Sequence, residues 1–137
     1  MNICDPKKEY KTTRNLVYSC QYHVIFTPKY RRKIFTPPID KSLKQIFKKV
    51  ADKFDFEILE QEVMPDHVHL LLSVNPNLGI SSVVSKLKSF SARELKKQYP
   101  HLKKRLPCLW TNSKFVSTVG SVSLGVVKAY IENQKNV

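Results

Sequence analysis

The sequence predicts an α+β domain with a ferredoxin-like order of elements, β-α-β-β-α-β, and one additional helix at the C-terminus. Three observations predict this fold class. Two long stretches carry apolar residues at helical spacing, β-branched and aromatic runs flank them, and a Pro-Asp pair separates two of those runs. Many RNA-recognition (RRM) domains share this split β-α-β order. With 137 residues, of which 42% are hydrophobic, the chain is long enough to form one core.

The first predicted elements follow a polar segment, residues 1–13, which is expected to be a mobile lead-in to a single domain over residues 14–137. Residues 16–28 are rich in β-branched and aromatic side chains and stop at a proline, which predicts a strand. Residues 39–54 follow the Pro37-Pro38 pair and carry apolar side chains every three or four positions. That spacing predicts an amphipathic helix.

A hairpin and a second helix are predicted next. Residues 56–63 and 67–74 are apolar runs on either side of Pro65-Asp66, which is a typical turn sequence. Residues 80–99 again have helical spacing, and Pro100 ends this helix because it cannot continue the hydrogen-bond ladder.

The C-terminal part is predicted to contain a short strand over residues 115–119 and a last helix from about Ser123, whose hydroxyl is a suitable N-cap. Tyr130 and Gln134 lie four residues apart, so they share one face of that helix. A tyrosine in this position is usually an edge-of-core residue. A phenol can also attack a phosphodiester, and an amide oxygen one turn away can complete a metal site.

Positive charge dominates the composition, with 24 Lys+Arg against 11 Asp+Glu and a formal charge of +13. A folded domain with this excess attracts polyanions, of which nucleic acid is the commonest in a cell. No apolar run approaches the ~20 residues of a membrane span, and the N-terminus lacks the apolar core of a signal peptide. The three cysteines form no CxxC pair, which fits a reducing compartment. We therefore expect a cytoplasmic protein that meets chromosomal DNA and no membrane.

Two basic clusters are candidates for contact with DNA phosphates, one at residues 29–33 and one on the second helix. Tyr30 is included because an aromatic ring can stack on an unpaired base. The alternative for each cluster is an ordinary solvated face, and for Tyr30 an aromatic side chain packed at the rim. The candidate DNA-binding residues are Lys29, Tyr30, Arg31, Arg32, Lys33, Lys86, Lys88 and Arg93.

A pair of histidines carries the clearest chemical signal. His67 and His69 are separated by one residue on a predicted strand, so both imidazoles project from one face while Val68 and Leu70 project from the other. Two imidazoles form half a metal site, and a third ligand must come from elsewhere. From the spacing alone, an accidental pair without a metal is the more common case. His23 on the first strand is interpreted as a packed or hydrogen-bonded histidine.

Four strings in a characteristic order give the sequence a specific resemblance. They are YHVIFTPKYRRKIF (Tyr22–Phe35), VMPDHVHLLL (Val63–Leu72), FVSTVG (Phe115–Gly120) and YIENQ (Tyr130–Gln134). From about Arg14 onward the chain resembles the single-tyrosine transposases of small insertion sequences that move as single-stranded DNA. These transposases belong to the endonuclease superfamily that is named after its His-hydrophobic-His (HUH) pair.

The resemblance implies a role for each matching residue. His67 and His69 match the metal-binding pair, Gln134 matches the third ligand, and Tyr130 matches the nucleophile. It also implies magnesium or manganese as the ion, no nucleotide cofactor, and single-stranded DNA hairpins as the bound DNA. The implied assembly is a homodimer with composite active sites, in which the tyrosine helix of one subunit completes the histidine pair of the other.

The implied reaction is a transesterification in which Tyr130 attacks a phosphodiester and leaves a 5′-phosphotyrosine and a free 3′-OH. Two alternatives stay open at this point. An RRM-like hairpin-binding domain, or an inactive remnant of a transposase, binds without cutting, so Tyr130→Phe changes nothing. A hydrolytic nuclease that uses only the histidine pair releases a free 5′-phosphate and survives the loss of Tyr130.

Overall fold

The described residues form a four-stranded antiparallel sheet, a two-stranded hairpin and three α-helices. The computed structural model describes residues 11–13, 16–119, 129 and 131–134. In chain order the elements are β1 (Lys11–Thr13), β2 (Leu16–Tyr18), β3 (Gln21–Phe26), a 3₁₀ turn (Lys29–Arg31), α1 (Ile39–Phe54), β4 (Glu57–Met64), β5 (His67–Ser73), α2 (Ile80–Gln98), α3 (His101–Arg105) and β6 (Phe115–Thr118).

The main sheet has the strand order β4-β5-β3-β6, and each neighbouring pair is antiparallel. The first and third of the four predicted strands, β3 and β5, are therefore the central ones, as in a ferredoxin-like sheet. This confirms the predicted α+β class and the β-α-β-β-α-β order. The helices α1 and α2 and the hairpin of β4 and β5 lie where the periodicity and the Pro65-Asp66 turn predicted them.

The prediction of one first strand over residues 16–28 was wrong. The run divides into β2 and β3, separated by Ser19 and Cys20, and only β3 belongs to the main sheet. β2 pairs instead with β1, which lies in the segment that the sequence analysis treated as a polar lead-in. Both halves of the run have the same extended propensity, so composition alone shows no break between them.

Two further differences concern short or terminal elements. The helix α3 was not predicted, because five residues are too few to show a period; it is held by Leu102, which is fully buried, as is the following Leu106. The expected start of the last helix at Ser123 lies outside the described residues. Residues 129 and 131–132 are helical, and they are called the C-terminal segment here together with residues 133–134.

The main core lies between the sheet and the helices α1 and α2. Alternate residues of the central strands point into it, among them Val24, Phe26, Val68 and Leu70, all fully buried. Trp110 packs edge-on against Phe26 at 4.7 Å between ring centroids, and its Nε1–H donates to Ser91 Oγ at 2.9 Å. No helix among the described residues is long and apolar enough to cross a membrane.

The opposite face of the sheet carries the histidines. His23, Ile25 and Leu71 point to this face and are almost completely buried, yet they lie outside the core between sheet and helices. Ile131 and Gln134 of the C-terminal segment are buried as well. His23 and His69 on this face therefore have little access to water.

Candidate active site beside the histidine pair

His67 and His69 lie on one face of β5, as the alternation predicted. Val68 and Leu70 between and beyond them are fully buried in the helix-side core. The sheet register sets His69 opposite Ile25 of β3 and Glu62 of β4, and sets His67 opposite Met64. The strand period of two therefore directs both imidazoles to the second face of the sheet.

The His67 ring is oriented by the residue that precedes it. His67 Nδ1 lies 2.8 Å from Asp66 Oδ1. A carboxylate can only accept, so Nδ1 carries a proton and donates it. The other ring nitrogen, Nε2, takes no part in this contact. Asp66 was predicted only as a turn residue, and its contact with His67 is a second function of that turn.

Asp66 is in turn held by Arg31, whose Nε–H donates to Asp66 Oδ2 at 2.7 Å. Burial alone raises the pKa of the Asp66 carboxyl, but the hydrogen bonds from His67 and Arg31, and their charges, outweigh it and hold the pKa below its ordinary value. Asp66 is therefore ionised at neutral pH, and both of its oxygens are engaged.

His69 is the more buried of the pair, with 3% of its surface exposed. Its Nε2 lies 3.0 Å from Nδ1 of His23, and the two rings are stacked with centroids 5.1 Å apart. Burial, together with the charges of His23 and His67, lowers the pKa of His69 to about 4, so the ring is neutral at pH 7. Burial also lowers the pKa of His23, against the opposing effect of Glu60. His23 is thus a buried, hydrogen-bonded histidine, in agreement with its interpretation from the sequence.

An ion pair joins the C-terminal segment to this site. Glu132 Oε2 lies 3.7 Å from Arg31 Nη1, and Arg31 is the residue that holds Asp66. Gln134 is buried, and its Oε1 has no hydrogen-bond partner within the described structure. Tyr130, the predicted nucleophile, lies outside the described residues.

The residue types of the predicted ligand set suit a divalent cation, although the described residues contain no cluster of three His, Cys, Asp or Glu side chains that could hold one. The predicted set is different in composition, since its third ligand is an amide. His67 offers Nε2, His69 is neutral, and Gln134 presents a buried acceptor that lacks a partner. Two imidazoles and an amide oxygen suit a divalent ion of intermediate to hard character. The contact with His23 occupies Nε2 of His69, so ligation through that atom requires the contact to give way.

The first basic cluster lies beside the histidine pair. Tyr30 is 51% exposed, Lys29 Nζ lies 5.3 Å from the centre of its ring, and Arg32 and Lys33 are exposed. Arg31 differs from its neighbours, because its guanidinium turns inward to Asp66 and only 12% of the side chain is exposed.

The second basic cluster lies on α2, on the other side of the sheet. Lys86 and Lys88 make hydrogen bonds within the fold, whereas Arg93 is exposed. Lys88 Nζ donates to the carbonyl oxygens of Thr111 and Ser113, both at 2.8 Å. Burial, with the charge of Lys114, lowers the pKa of Lys88 to about 8. Lys86 Nζ donates to Ser82 Oγ at 2.9 Å and lies 5.0 Å from the centre of the Phe54 ring, and Arg93 lies 4.7 Å from that of Phe90.

Three contacts of this site were not predicted from the sequence, those of Asp66, Glu132 and His23. Asp66 was visible as an acid directly before the histidine pair, and Glu132 as an acid two positions after Tyr130. The contact of His23 with His69 had no signal in the sequence, because the two residues are 46 positions apart and meet only through the register of β3 and β5.

Comparison with known proteins gives a consistent result. Residues 16–134 match the family described as "Transposase IS200 like". The chain is 39% identical to the ISDra2 transposase TnpA of Deinococcus radiodurans over 128 residues, which cover 92% of this chain and 91% of the relative. It is 32% identical to the transposase for insertion sequence element IS200 of Salmonella typhimurium over 126 residues, which cover 90% and 82% of the two chains.

Solved structures agree with these sequence relatives. A Deinococcus radiodurans R1 protein assigned as a transposase superposes with a TM-score of 0.85 and 37% identity, over 93% of this chain and 99% of that chain. The REP-associated tyrosine transposase bound to a REP hairpin superposes with a TM-score of 0.52 and 19% identity, over 89% and 68% of the two chains. The second likeness is one of fold.

Proposed function

The chain belongs to the IS200-like transposase family and is a DNA transposase, and from this premise we propose that it cuts and rejoins single-stranded DNA with Tyr130 as nucleophile. The observation that supports the proposal most is a chain of contacts from His67 through Asp66 and Arg31 to Glu132. It links the histidine pair to the residues that flank position 130.

The proposed reaction exchanges one phosphodiester bond for another. The phenolate oxygen of Tyr130 attacks the phosphorus, the bond from phosphorus to the 3′-oxygen breaks, and that oxygen takes up a proton to become a free 3′-OH. In the second step the 3′-OH of another strand attacks the phosphotyrosine and releases Tyr130. The number of phosphate ester bonds is the same before and after, so no nucleotide cofactor is needed.

We propose His67, His69 and Gln134 as the ligands of a divalent cation, magnesium or manganese. When bound, the cation supplies Lewis-acid stabilisation of charge on a phosphate oxygen. His67 is held in one orientation by Asp66, and His69 is kept neutral by burial, so His69 does not have to lose a proton before it binds the ion at pH 7. The burial of Gln134 excludes water as a competing partner for its oxygen.

Exposed and partly exposed residues beside the histidine pair are proposed to hold the DNA. Lys29, Arg32 and Lys33 provide positive charge for phosphates, and Tyr30 provides a ring for an unpaired base. A DNA hairpin is the proposed substrate, by analogy with the hairpin bound to the REP-associated relative.

The proposed assembly is a homodimer with composite sites. In this dimer, Glu132 of one subunit contacts Arg31 of the other, and this contact replaces the one seen within a single chain. Mixing two inactive variants tests this arrangement. His67→Ala and Tyr130→Phe subunits, combined, regain cleavage if one subunit's tyrosine serves the other's histidines. Cleavage that stays absent in the mixture, although each variant dimerises, contradicts the composite site.

The decisive experiment looks for a covalent intermediate. Hairpin-bearing single-stranded oligonucleotides, including the DNA that flanks the gene, are incubated with the protein with and without Mn²⁺. We expect a manganese-dependent adduct on Tyr130 by denaturing gel and peptide mass spectrometry, and none with Tyr130→Phe, which keeps its affinity for the hairpin. Tyr99→Phe is the matched control, because Tyr99 bonds to Ser42 on the helix side of the sheet. Cleavage by Tyr130→Phe with a free 5′-phosphate contradicts the proposal and indicates a hydrolytic nuclease.

A further inference from the structure

We infer that Asp66 and Arg31 are positioning residues that orient His67 for its ligand, and that Arg31 extends this positioning to the C-terminal segment through Glu132. The inference rests on the proposed function, because it gives His67 the role of a metal ligand. Neither residue is proposed to touch the DNA or the reacting atoms. The residues act on the histidine ring and on the segment that carries the nucleophile.

The contact of Asp66 with His67 fixes both the tautomer and the direction of the ring. A carboxylate accepts only, so Nδ1 carries a proton, and in the neutral ring the lone pair is on Nε2. Carboxylates that accept from a ligand histidine in this way orient the ring and raise its basicity. Asp66 can do so only if its own position is fixed, and Arg31 provides this by donating to its second oxygen at 2.7 Å.

The backbone around Arg31 is arranged so that the guanidinium points inward. Tyr30 and Arg31 both have positive φ, 60° and 50°, a region that residues other than glycine adopt at an energetic cost. The turn is held by Arg31 N–H, which donates to Pro28 O at 2.8 Å. Phe35 N–H donates to Pro65 O at 3.0 Å and ties the same loop to the turn that carries Asp66. Strain retained at Arg31, which holds the carboxylate beside His67, supports a positioning role for this residue.

Arg31 has a further donor, Nη1, besides the Nε–H that binds Asp66. Its Nη1 is buried and makes no hydrogen bond within the described structure, and it lies 3.7 Å from Glu132 Oε2. Glu132 is 60% exposed, so the attraction at this distance is weak. A contact of this kind is broken easily, whereas the stronger contact with Asp66 keeps the guanidinium in place.

The first test measures binding of Mn²⁺ alone to the full chain by titration calorimetry. We expect Asp66→Asn to weaken Mn²⁺ binding by about 10- to 100-fold, the usual loss when a carboxylate partner of a ligand histidine is removed. Arg31→Gln has the same direction of effect, because it releases Asp66. Asp52→Asn, an exposed acid on α1, is the matched control and binds Mn²⁺ like the wild type.

The variants distinguish the positioning role of Asp66 from the proposed metal site itself. If His67→Ala loses Mn²⁺ binding and Asp66→Asn keeps wild-type affinity, the positioning role is overturned and the proposed metal site stands. If His67→Ala itself binds Mn²⁺ like the wild type, the proposed site is wrong. A second readout is ¹⁵N NMR of the histidine side chains, in which His67 is expected as the Nδ1–H tautomer and as a mixture in Asp66→Asn. A wild-type tautomer in a folded Asp66→Asn protein overturns the inference.

The second test concerns the contact with the C-terminal segment. Amide hydrogen exchange of residues 131–134 is expected to be several-fold faster in Glu132→Ala and in Arg31→Gln, and no faster in the double variant than in Arg31→Gln alone. Glu132→Asp restores part of the protection, because it keeps the charge. Glu94→Ala, which removes a partly exposed acid 4.0 Å from Lys97, is the control. Unchanged exchange in Glu132→Ala, or effects that add in the double variant, contradict the proposed link.

Discussion

Lowering the pH from 7 to 5 should destabilise the metal-free protein, because His69 is buried as a neutral ring. Its pKa is lowered from 6.5 to about 4 by burial and by the neighbouring charges of His23 and His67. Between pH 6.5 and pH 4 the unfolded chain binds a proton at His69 and the folded chain does not. Protonation therefore favours the unfolded state, so the stability present above pH 6.5 is lost progressively as the pH falls towards 4.

The size of the effect follows from that difference in pKa. Each pKa unit corresponds to 1.36 kcal/mol, so the shift of His69 lowers the free energy of unfolding by roughly 3 kcal/mol once the ring is protonated in both the folded and the unfolded state. Between pH 7 and pH 5 the loss of unfolding free energy is about 2 kcal/mol. His23 adds to the effect with the same sign, since burial lowers its pKa as well. Asp66 contributes only below this range, because its pKa lies under the ordinary value of 3.8.

Thermal unfolding in the presence of a chelator measures this loss. The wild type is expected to have a Tm about 8 °C lower at pH 5 than at pH 7, at a few degrees for each kcal/mol in a domain of this size. His69→Gln keeps a polar partner for His23 but does not titrate, so its difference in Tm between the two pH values should fall to half or less. His101→Gln changes an exposed histidine and should leave the wild-type difference intact. A His69→Gln protein with the wild-type difference refutes the reasoning.

The remaining predictions concern single contacts. Lys88→Ala should lower the free energy of unfolding by about 2 kcal/mol, measured by urea titration, because it removes two hydrogen bonds from a charged donor, to the Thr111 and Ser113 carbonyls. The same variant should leave the salt dependence of binding to single-stranded DNA unchanged, and a weaker dependence contradicts its internal role. Arg32→Ala, at an exposed position, should instead reduce the slope of log K against log salt by about 0.7, read from fluorescence anisotropy at four salt concentrations. Trp110→Phe should cost roughly 2 kcal/mol, since it loses the bond to Ser91 and part of the packing on Phe26, and a cost near zero speaks against a central place for that ring.

The structure changes how the basic residues of this protein are understood. From the sequence, Arg31 and Lys88 could not be distinguished from their neighbours, and all eight cluster members were candidates for phosphate contact. In the fold, Arg31 binds a carboxylate and Lys88 binds two carbonyl oxygens, whereas Arg32 and Lys33 are exposed. Net charge predicts that a surface attracts DNA, but it does not say which cations are already engaged inside the protein.

Local patterns in the sequence determined the fold class of this protein and the position of its histidine pair. The period of α1 and α2, the turn at Pro65-Asp66 and the alternation along β5 predicted the fold class and the common face of His67 and His69. These features depend on residues within a few positions of one another, so side-chain spacing is enough to reveal them.

Only the tertiary structure decided which distant residues meet. The pairing of β2 with β1 and of β3 with β5 divides one extended run between two sheets, and the register of β3 and β5 brings His23 to His69 across 46 positions. The positive φ angles at Tyr30 and Arg31 turn one cation of a uniform cluster inward to Asp66, 35 positions away. The physical reason is the same in each case: strand pairing and ion pairing join groups that local propensity does not relate, so their partners are fixed only when the whole chain has folded.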